Sequence, residues 1–122
     1  MNLRKIKKSI FAMLLEYNSE YNTNVIIDAI KYIDDPNDRS EAYFIKDEIY
    51  HNHKNILYIR DCLFDKDNFS IKVILFHEFT HLHDTKLFID YPELQFAELM
   101  KIYSEIHASE IEMDTILSSQ TK

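Results

Sequence analysis

The strongest constraint on the fold is the segment from Ile71 to about Phe88, which is predicted to form one strongly apolar helix. The middle of this helix carries His-Glu-Phe-Thr-His at positions 77–81. Imidazole and carboxylate groups are costly to bury when they lack partners. The fold must therefore place this helix where its polar side chains are satisfied.

The spacing of the two histidines indicates a metal site. On a helix His77 and His81 lie on one face, one turn apart, so both imidazoles can bind one ion. Glu78 then projects beside the ion, where it can take a proton from the attacking water and return it to a leaving amine. This HExxH arrangement is typical of zincin metallopeptidases. The structural alternative is a helix whose histidines are solvated or satisfied within the core.

A catalytic zinc site needs a third protein ligand and one open position. Glu105 and Glu110, 24 and 29 residues after the second histidine, are the candidates. Five residues correspond to about 500° of helical rotation, so the two carboxylates cannot both face the histidines. The small residues Ala108 and Ser109 favour Glu105, because they let two helices approach closely. Spacing alone leaves both glutamates open.

An apolar stripe on the same helix favours Glu110 instead. A carboxylate on an inward stripe requires a partner, and Asp114, four residues further on, would then orient a ligand histidine. The apolar residues that share the stripe with Glu110 are Tyr103, Ile106, Met113 and Leu117.

The N-terminal half is predicted to contain one helix and a small sheet. An amphipathic helix runs from Leu3 to about Tyr17, and a strand is expected at Val25–Ile27. Residues 28–33 either continue this strand or form a helical turn. Bulky residues in Ala42–Ile49 and Ile56–Ile59 predict two strands of an antiparallel hairpin.

The C-terminal half is predicted to be helical. A polar loop at residues 65–70 precedes the motif helix, and either Asn68 or Ser70 is expected to cap that helix. A last helix is expected from Glu93 to about Leu117, with Pro92 in its first turn. Together, the elements predict an α+β domain of the minimal zincin type.

Composition excludes several classes of protein. The 122 residues predict one domain spanning positions 1–122, and 46% hydrophobic residues supply a core. The absence of glycine excludes a Gly-rich phosphate loop or dinucleotide fingerprint. A net charge of −7 argues against nucleic-acid binding, and the apolar run Ile10–Leu15 is too short to span a membrane. The single cysteine, Cys62, is expected to be buried. Because one cysteine cannot form an internal disulfide, a disulfide framework is excluded, and a reducing cytoplasm is the expected compartment.

Several further polar residues have two interpretations. Asp84 is either a surface charge or an acceptor for a ligand histidine. His107 could donate to an oxyanion, although a structural or exposed role is favoured, and Tyr103 is expected in the core. His83, His51 and His53 are expected to be exposed.

The motif residues also resemble a known class. Positions 77–81, followed by Glu105-Ile106-His107-Ala108, resemble small gluzincin-type metallopeptidases, in which HExxH precedes a helical ExxA. The ImmA/IrrE-like proteins of phages and mobile elements have this plan. The small metalloproteases of the mitochondrial intermembrane space resemble the chain in HExxHxxD, here ending at Asp84. The resemblance covers about the last 50 residues and implies that Glu105 is the third zinc ligand.

Two departures from these families are visible. Thr80 stands where the ImmA type commonly has glycine, and the cysteines of the mitochondrial type are absent.

The resulting expectation is a Zn²⁺-dependent peptidase with Glu78 as general base and a protein or peptide substrate, for instance a regulatory protein. The strand Ile56–Ile59 is expected to offer an exposed edge to that substrate. The alternative is a catalytically silent zinc-binding domain that acts as a regulatory protein-binding module.

Overall fold

The computed structural model describes residues 2–90 and 97–120, with side chains described for 2–87 and 102–118. The described chain is an α+β fold, as predicted. The helices are α1 (Leu3–Tyr21), α2 (Lys46–Asn52), a short 3-10 helix (Asp61–Asp65), α3 (Asn68–Asp90) and α4 (Ala97–Gln120). The strands are β1 (Ala29–Tyr32), β2 (Ala42–Phe44) and β3 (Ile56–Ile59).

The three strands form a sheet in the order β1-β3-β2. Strand β3 pairs parallel with β1 (Ala29 opposite Ile56) and antiparallel with β2 (Ala42 opposite Ile59). Both edges of β3 are therefore occupied, and the expectation that Ile56–Ile59 pairs with a substrate is wrong. The sheet edges in the described chain belong to β1 and β2.

The predicted strand Ala42–Ile49 is wrong beyond Phe44, because the chain turns into α2. Acidic residues Asp47 and Glu48 lie in the first turn of α2, where the helix dipole stabilises them, and Ile49 is buried. Strands β2 and β3 are antiparallel as expected, but a helix rather than a polar turn connects them. Helix α2 ends at Asn52 and is capped by His53, whose positive φ of 53° is the conformation that glycine commonly adopts at this position.

Strand β1 lies at residues 29–32, which confirms the alternative in which residues 28–33 are extended rather than helical. The predicted strand at Val25–Ile27 is not formed. The side chain of Asn18 holds that preceding segment: it accepts from the backbone N–H of Val25 and donates to the carbonyl of Val25. Because Val25 and Ile27 are buried, this segment joins the core without joining the sheet.

Helix α3 is capped by Asp67, and not by Asn68 or Ser70 as predicted. The Asp67 carboxylate accepts from the backbone N–H and the hydroxyl of Ser70, at 2.8 and 2.9 Å. These bonds, the backbone one first, lower the pKa of Asp67. The predicted helix over residues 71–88 is confirmed. The predicted start of the last helix, at Pro92 and Glu93, lies outside the described residues.

The back of the motif helix is fixed to α1. The Tyr17 hydroxyl donates to Oγ1 of Thr80 at 2.8 Å, and Thr80 donates to the carbonyl of Phe76 at 2.9 Å. Burial raises the pKa of Tyr17 to about 12, so it stays a neutral donor. The Tyr17 ring also packs edge-on against Phe76 and Phe79. Thr80 thus holds α3 in place against α1.

Within the described residues, no helix has the length and apolar character that a membrane span requires.

Candidate metal centre

Three potential metal donors converge where α3 meets α4. The Nε2 atoms of His77 and His81 lie 2.9 Å apart, and Oε1 of Glu105 lies 3.2 Å from Nε2 of His81. All three donor atoms lie within 4.8 Å of one another. The imidazoles are partly buried, whereas the Glu105 side chain is 67% exposed. The helices thus bring together the three residues that the motif and the resemblance single out.

Glu110 lies away from this cluster and is exposed. The inward face of α4 is centred on Ala108 and Ile111, both buried. The stripe that favoured Glu110 points outward, and its members are about half exposed: Tyr103, Ile106, Met113 and Leu117. The interpretation of that stripe as inward, with Tyr103 in the core, is therefore wrong. Both faces of α4 carry apolar residues, and the face with the small side chain allows the closer approach to α3.

Each imidazole is contacted by an oxygen on its other side. Nδ1 of His81 lies 2.7 Å from the Ser104 hydroxyl, and Nδ1 of His77 lies in close contact with a carboxylate oxygen of Glu112. The contact with Glu112 falls short of a well-formed hydrogen bond. Sequence reasoning missed both partners. The signal was present, since Glu112 follows Glu105 by seven residues and two helical turns bring both to one face.

These contacts are compatible with the tautomers that a metal site requires. A proton on Nδ1 of His77 faces the Glu112 carboxylate, and a proton on Nδ1 of His81 can be accepted by Ser104. The Nε2 lone pairs then face each other at 2.9 Å, and a cation between them would relieve their repulsion. The donor set and its supporting oxygens therefore fit a divalent metal with two imidazole ligands and one carboxylate.

Glu78 lies beside the cluster in a partly buried position. Burial raises its pKa to about 7, and the negative charges of Glu105 and Glu112 add to the effect. Burial also lowers the pKa of His81, with a further contribution from His77. Near neutral pH the imidazole of His81 is thus neutral, as a metal ligand must be, and Glu78 can both accept and release a proton. A cation bound nearby would lower the pKa of Glu78 again.

Asp84 is buried against His107 rather than against His77 or His81, so both interpretations of this residue are wrong. Its side chain is 1% exposed, and its two oxygens lie 2.9 and 3.1 Å from Nδ1 of His107. This pair joins α3 to α4, which is the structural role favoured for His107. Asp114, which would orient a histidine under the Glu110 alternative, instead accepts from the Tyr21 hydroxyl at 2.6 Å.

The sequence also predicts the burial or exposure of four residues outside the cluster. His51 and His53 are exposed, as predicted, whereas His83 is only partly exposed. Cys62 is exposed as well, so the expectation of a buried cysteine is wrong. It lies in the 3-10 helix, where Leu63 rather than Cys62 is the buried residue.

No protein-family model, no curated protein and no solved structure matches this chain. The likeness to gluzincins therefore remains a prediction from the motif residues. What supports a function is the geometry of the cluster itself.

Proposed function

We propose that this protein is a zinc-dependent metallopeptidase in which His77, His81 and Glu105 bind Zn²⁺ and Glu78 is the general base. One observation carries the proposal: two imidazole nitrogens and one carboxylate oxygen, from two helices, lie within 4.8 Å of one another. Two histidines and one glutamate form a ligand set that leaves a fourth zinc position open for chemistry. The contacts of both imidazoles with Ser104 and Glu112 support this assignment, because ligand histidines in metal sites are held in this way.

In the proposed reaction the metal, the general base and the residues that hold the imidazoles have separate roles. Zinc, when bound, polarises the scissile carbonyl and acidifies water, towards a pKa of about 7. Glu78, which is partly buried beside the cluster, accepts a proton at its carboxylate and later donates it to the leaving amine. Ser104 and Glu112 keep the imidazole rings in one orientation, so that no rotamer search precedes each turnover.

The proposed substrate is an extended segment of a protein or peptide. Strand β2 packs on α3 and is an edge of the sheet, so it is better placed than β3 for pairing with such a segment. The resemblance to ImmA-like proteins favours a regulatory protein as the target. Together with the single cysteine, it also favours the cytoplasm as the compartment of the proposed activity.

A second candidate function is a zinc-binding regulatory module without turnover. The exposure of Glu105 favours it, because an open site excludes little water and holds a substrate over a small area. The intact general base favours the enzyme, since a purely structural ion requires no Glu78. The two candidates agree on the metal and differ only in catalysis.

Metal analysis together with one variant tests the proposal. The purified protein should contain about one zinc per chain, and His77→Ala should contain none. A broad peptide library should be cleaved by the wild type, whereas Glu78→Gln should keep zinc and lose cleavage. Glu110→Gln, an exposed change on α4, is the matched control and should cleave normally. Zinc binding without cleavage by the wild type would favour the regulatory module, and a protein that takes up no zinc would refute both.

A further inference from the structure

The outer face of α4 is apolar and lies on the side of the helix opposite its buried face. Four large side chains on this face are 53–57% exposed: Ile102, Ile106, Met113 and Leu117. They recur every four to seven residues, so they form one stripe about 23 Å long. We call these four residues the α4 stripe.

The surroundings of the α4 stripe are acidic. Residues 102–118 contain no lysine or arginine but contain four acidic residues. Two of them, Glu105 and Glu110, border the stripe and line a shallow surface cleft together with Ile106, Ser109 and Met113. An occupant of this surface must therefore combine an apolar ridge with positive charge.

The outer face of α1 has that combination. Phe11 and Leu15 are 40% and 73% exposed, although both lie on a helix whose other face is fully buried. With Ala12, and with Arg4, Lys7 and Lys8 beside them, they line a shallow surface cleft of about 700 Å³. We call these six residues the α1 face. It spans about 17 Å, a length comparable to that of the α4 stripe.

We propose that the α1 face of one copy of this protein binds the α4 stripe of a second copy. Apolar side chains would meet at the centre of the contact, while Lys7 and Lys8 meet Glu110 at its border. Pairing of two α4 stripes would bring acidic residues together, and pairing of two α1 faces would bring basic residues together. Charge thus selects the mixed pairing, and when it is made twice about a twofold axis the contact closes into a dimer.

A membrane is the other chemistry that suits a basic amphipathic helix. The charge of the whole chain, −7, opposes approach to an anionic bilayer. A membrane would also cover the α1 face alone and leave the α4 stripe exposed to water. A second copy covers both surfaces, and therefore it is the favoured occupant.

Charge reversal with sedimentation equilibrium tests this pairing specifically. The double change Lys7→Glu and Lys8→Glu on α1, and the separate change Glu110→Lys on α4, should each weaken self-association by at least about tenfold. A mixture of these two variants should form a heterodimer, because an acidic α1 then meets a basic α4 and a native α1 meets a native α4. Leu15→Gln should also weaken association, whereas Ile26→Gln, equally polar and on another surface, should not.

Two readouts keep the test independent of folding and of zinc. Far-ultraviolet circular dichroism should be unchanged in every variant, since all the replaced side chains are exposed or partly exposed, and zinc content should match the wild type. A wild type that stays monomeric at all concentrations would overturn the proposal. So would stronger association of Glu110→Lys, which would indicate α4–α4 pairing. A monomer that binds vesicles containing phosphatidylserine through α1 would also overturn it, because the α1 face would then be a membrane-binding surface.

Discussion

A carboxylate oxygen of Glu112 lies against Nδ1 of His77, while Nε2 of the same ring faces His81. Glu112 and Glu105 lie seven residues apart on one face of α4, so this helix supplies both a candidate ligand and the group that orients another ligand. The candidate site therefore exists only when α4 is docked against α3 in one rotational setting.

The choice between the two candidate ligands predicts an order of zinc affinities. Glu105→Ala removes the carboxylate that lies 3.2 Å from His81 and should lower zinc affinity by at least about a hundredfold. Glu110→Ala removes an exposed carboxylate outside the cluster and should leave the affinity nearly unchanged. Competition with a chromogenic chelator measures both. The reverse order would mean that α4 turns its other face to the histidines.

Glu112 is expected to support zinc binding without touching the ion. Glu112→Ala should lower zinc affinity by about 10- to 100-fold, because His77 loses the partner that holds its tautomer. Glu112→Gln keeps an acceptor oxygen, so its zinc affinity should lie between those of the wild type and Glu112→Ala. Chelator competition gives the affinities, and thermal unfolding without metal checks that the fold is intact. Equal zinc affinities for all three proteins would show that Glu112 has no role in zinc binding.

Glu78 should give the metal-free protein a pH-dependent stability. Its pKa rises from 4.5 to about 7 on folding, so between these values the folded state binds more protons than the unfolded state. The free energy of unfolding should therefore fall as the pH rises through this window, by up to about 3 kcal/mol.

Comparison with Glu78→Gln isolates this contribution. The variant cannot ionise there, and the opposing titration of His81 is common to both proteins and cancels in the difference. The free energy of unfolding of both proteins is measured with urea at pH 4.5 and pH 7.5 in the presence of a chelator. Relative to the wild type, the variant should be more stable at pH 7.5 than at pH 4.5. A difference that does not change with pH would show that Glu78 is well solvated.

The contact between Tyr17 and Thr80 should stabilise the packing of α1 on α3. Tyr17→Phe removes one buried hydroxyl and should lower the free energy of unfolding by about 1 kcal/mol. Thr80→Val should cost more, about 1–3 kcal/mol, since it leaves the Tyr17 hydroxyl buried without its acceptor. The double variant should be less destabilised than the sum of the two changes. Strict additivity in urea unfolding would argue against the contact.

The buried pair Asp84–His107 should set the docking of α4. His107→Ala leaves the carboxylate of Asp84 buried and unpaired, which should destabilise the protein by about 3–5 kcal/mol. Replacing both residues, as Asp84→Leu with His107→Leu, removes the unpaired charge and should recover most of that loss. Thermal unfolding provides the comparison. A double variant no better than His107→Ala alone would mean that the pair contributes packing rather than charge.

Local pattern was sufficient for much of this protein. The apolar run of residues 71–88 was enough to predict helix α3, and helical geometry alone puts His77 and His81 on one face. The alternation of one long N-terminal helix, short bulky strands and long C-terminal helices likewise yields the α+β class. These features depend on residues at most a few turns apart, and so sequence determines them directly.

Only the tertiary structure decided how the elements face each other. Both sides of α4 are apolar, so periodicity could not tell that Ala108 faces inward and brings Glu105 and Glu112 to the histidines while Glu110 points to solvent. The central position of β3 depends on pairing with a strand more than twenty residues away in the chain. In each case the deciding free energy comes from contacts between distant segments, whose packing and hydrogen bonds exist only after the helices and strands have assembled.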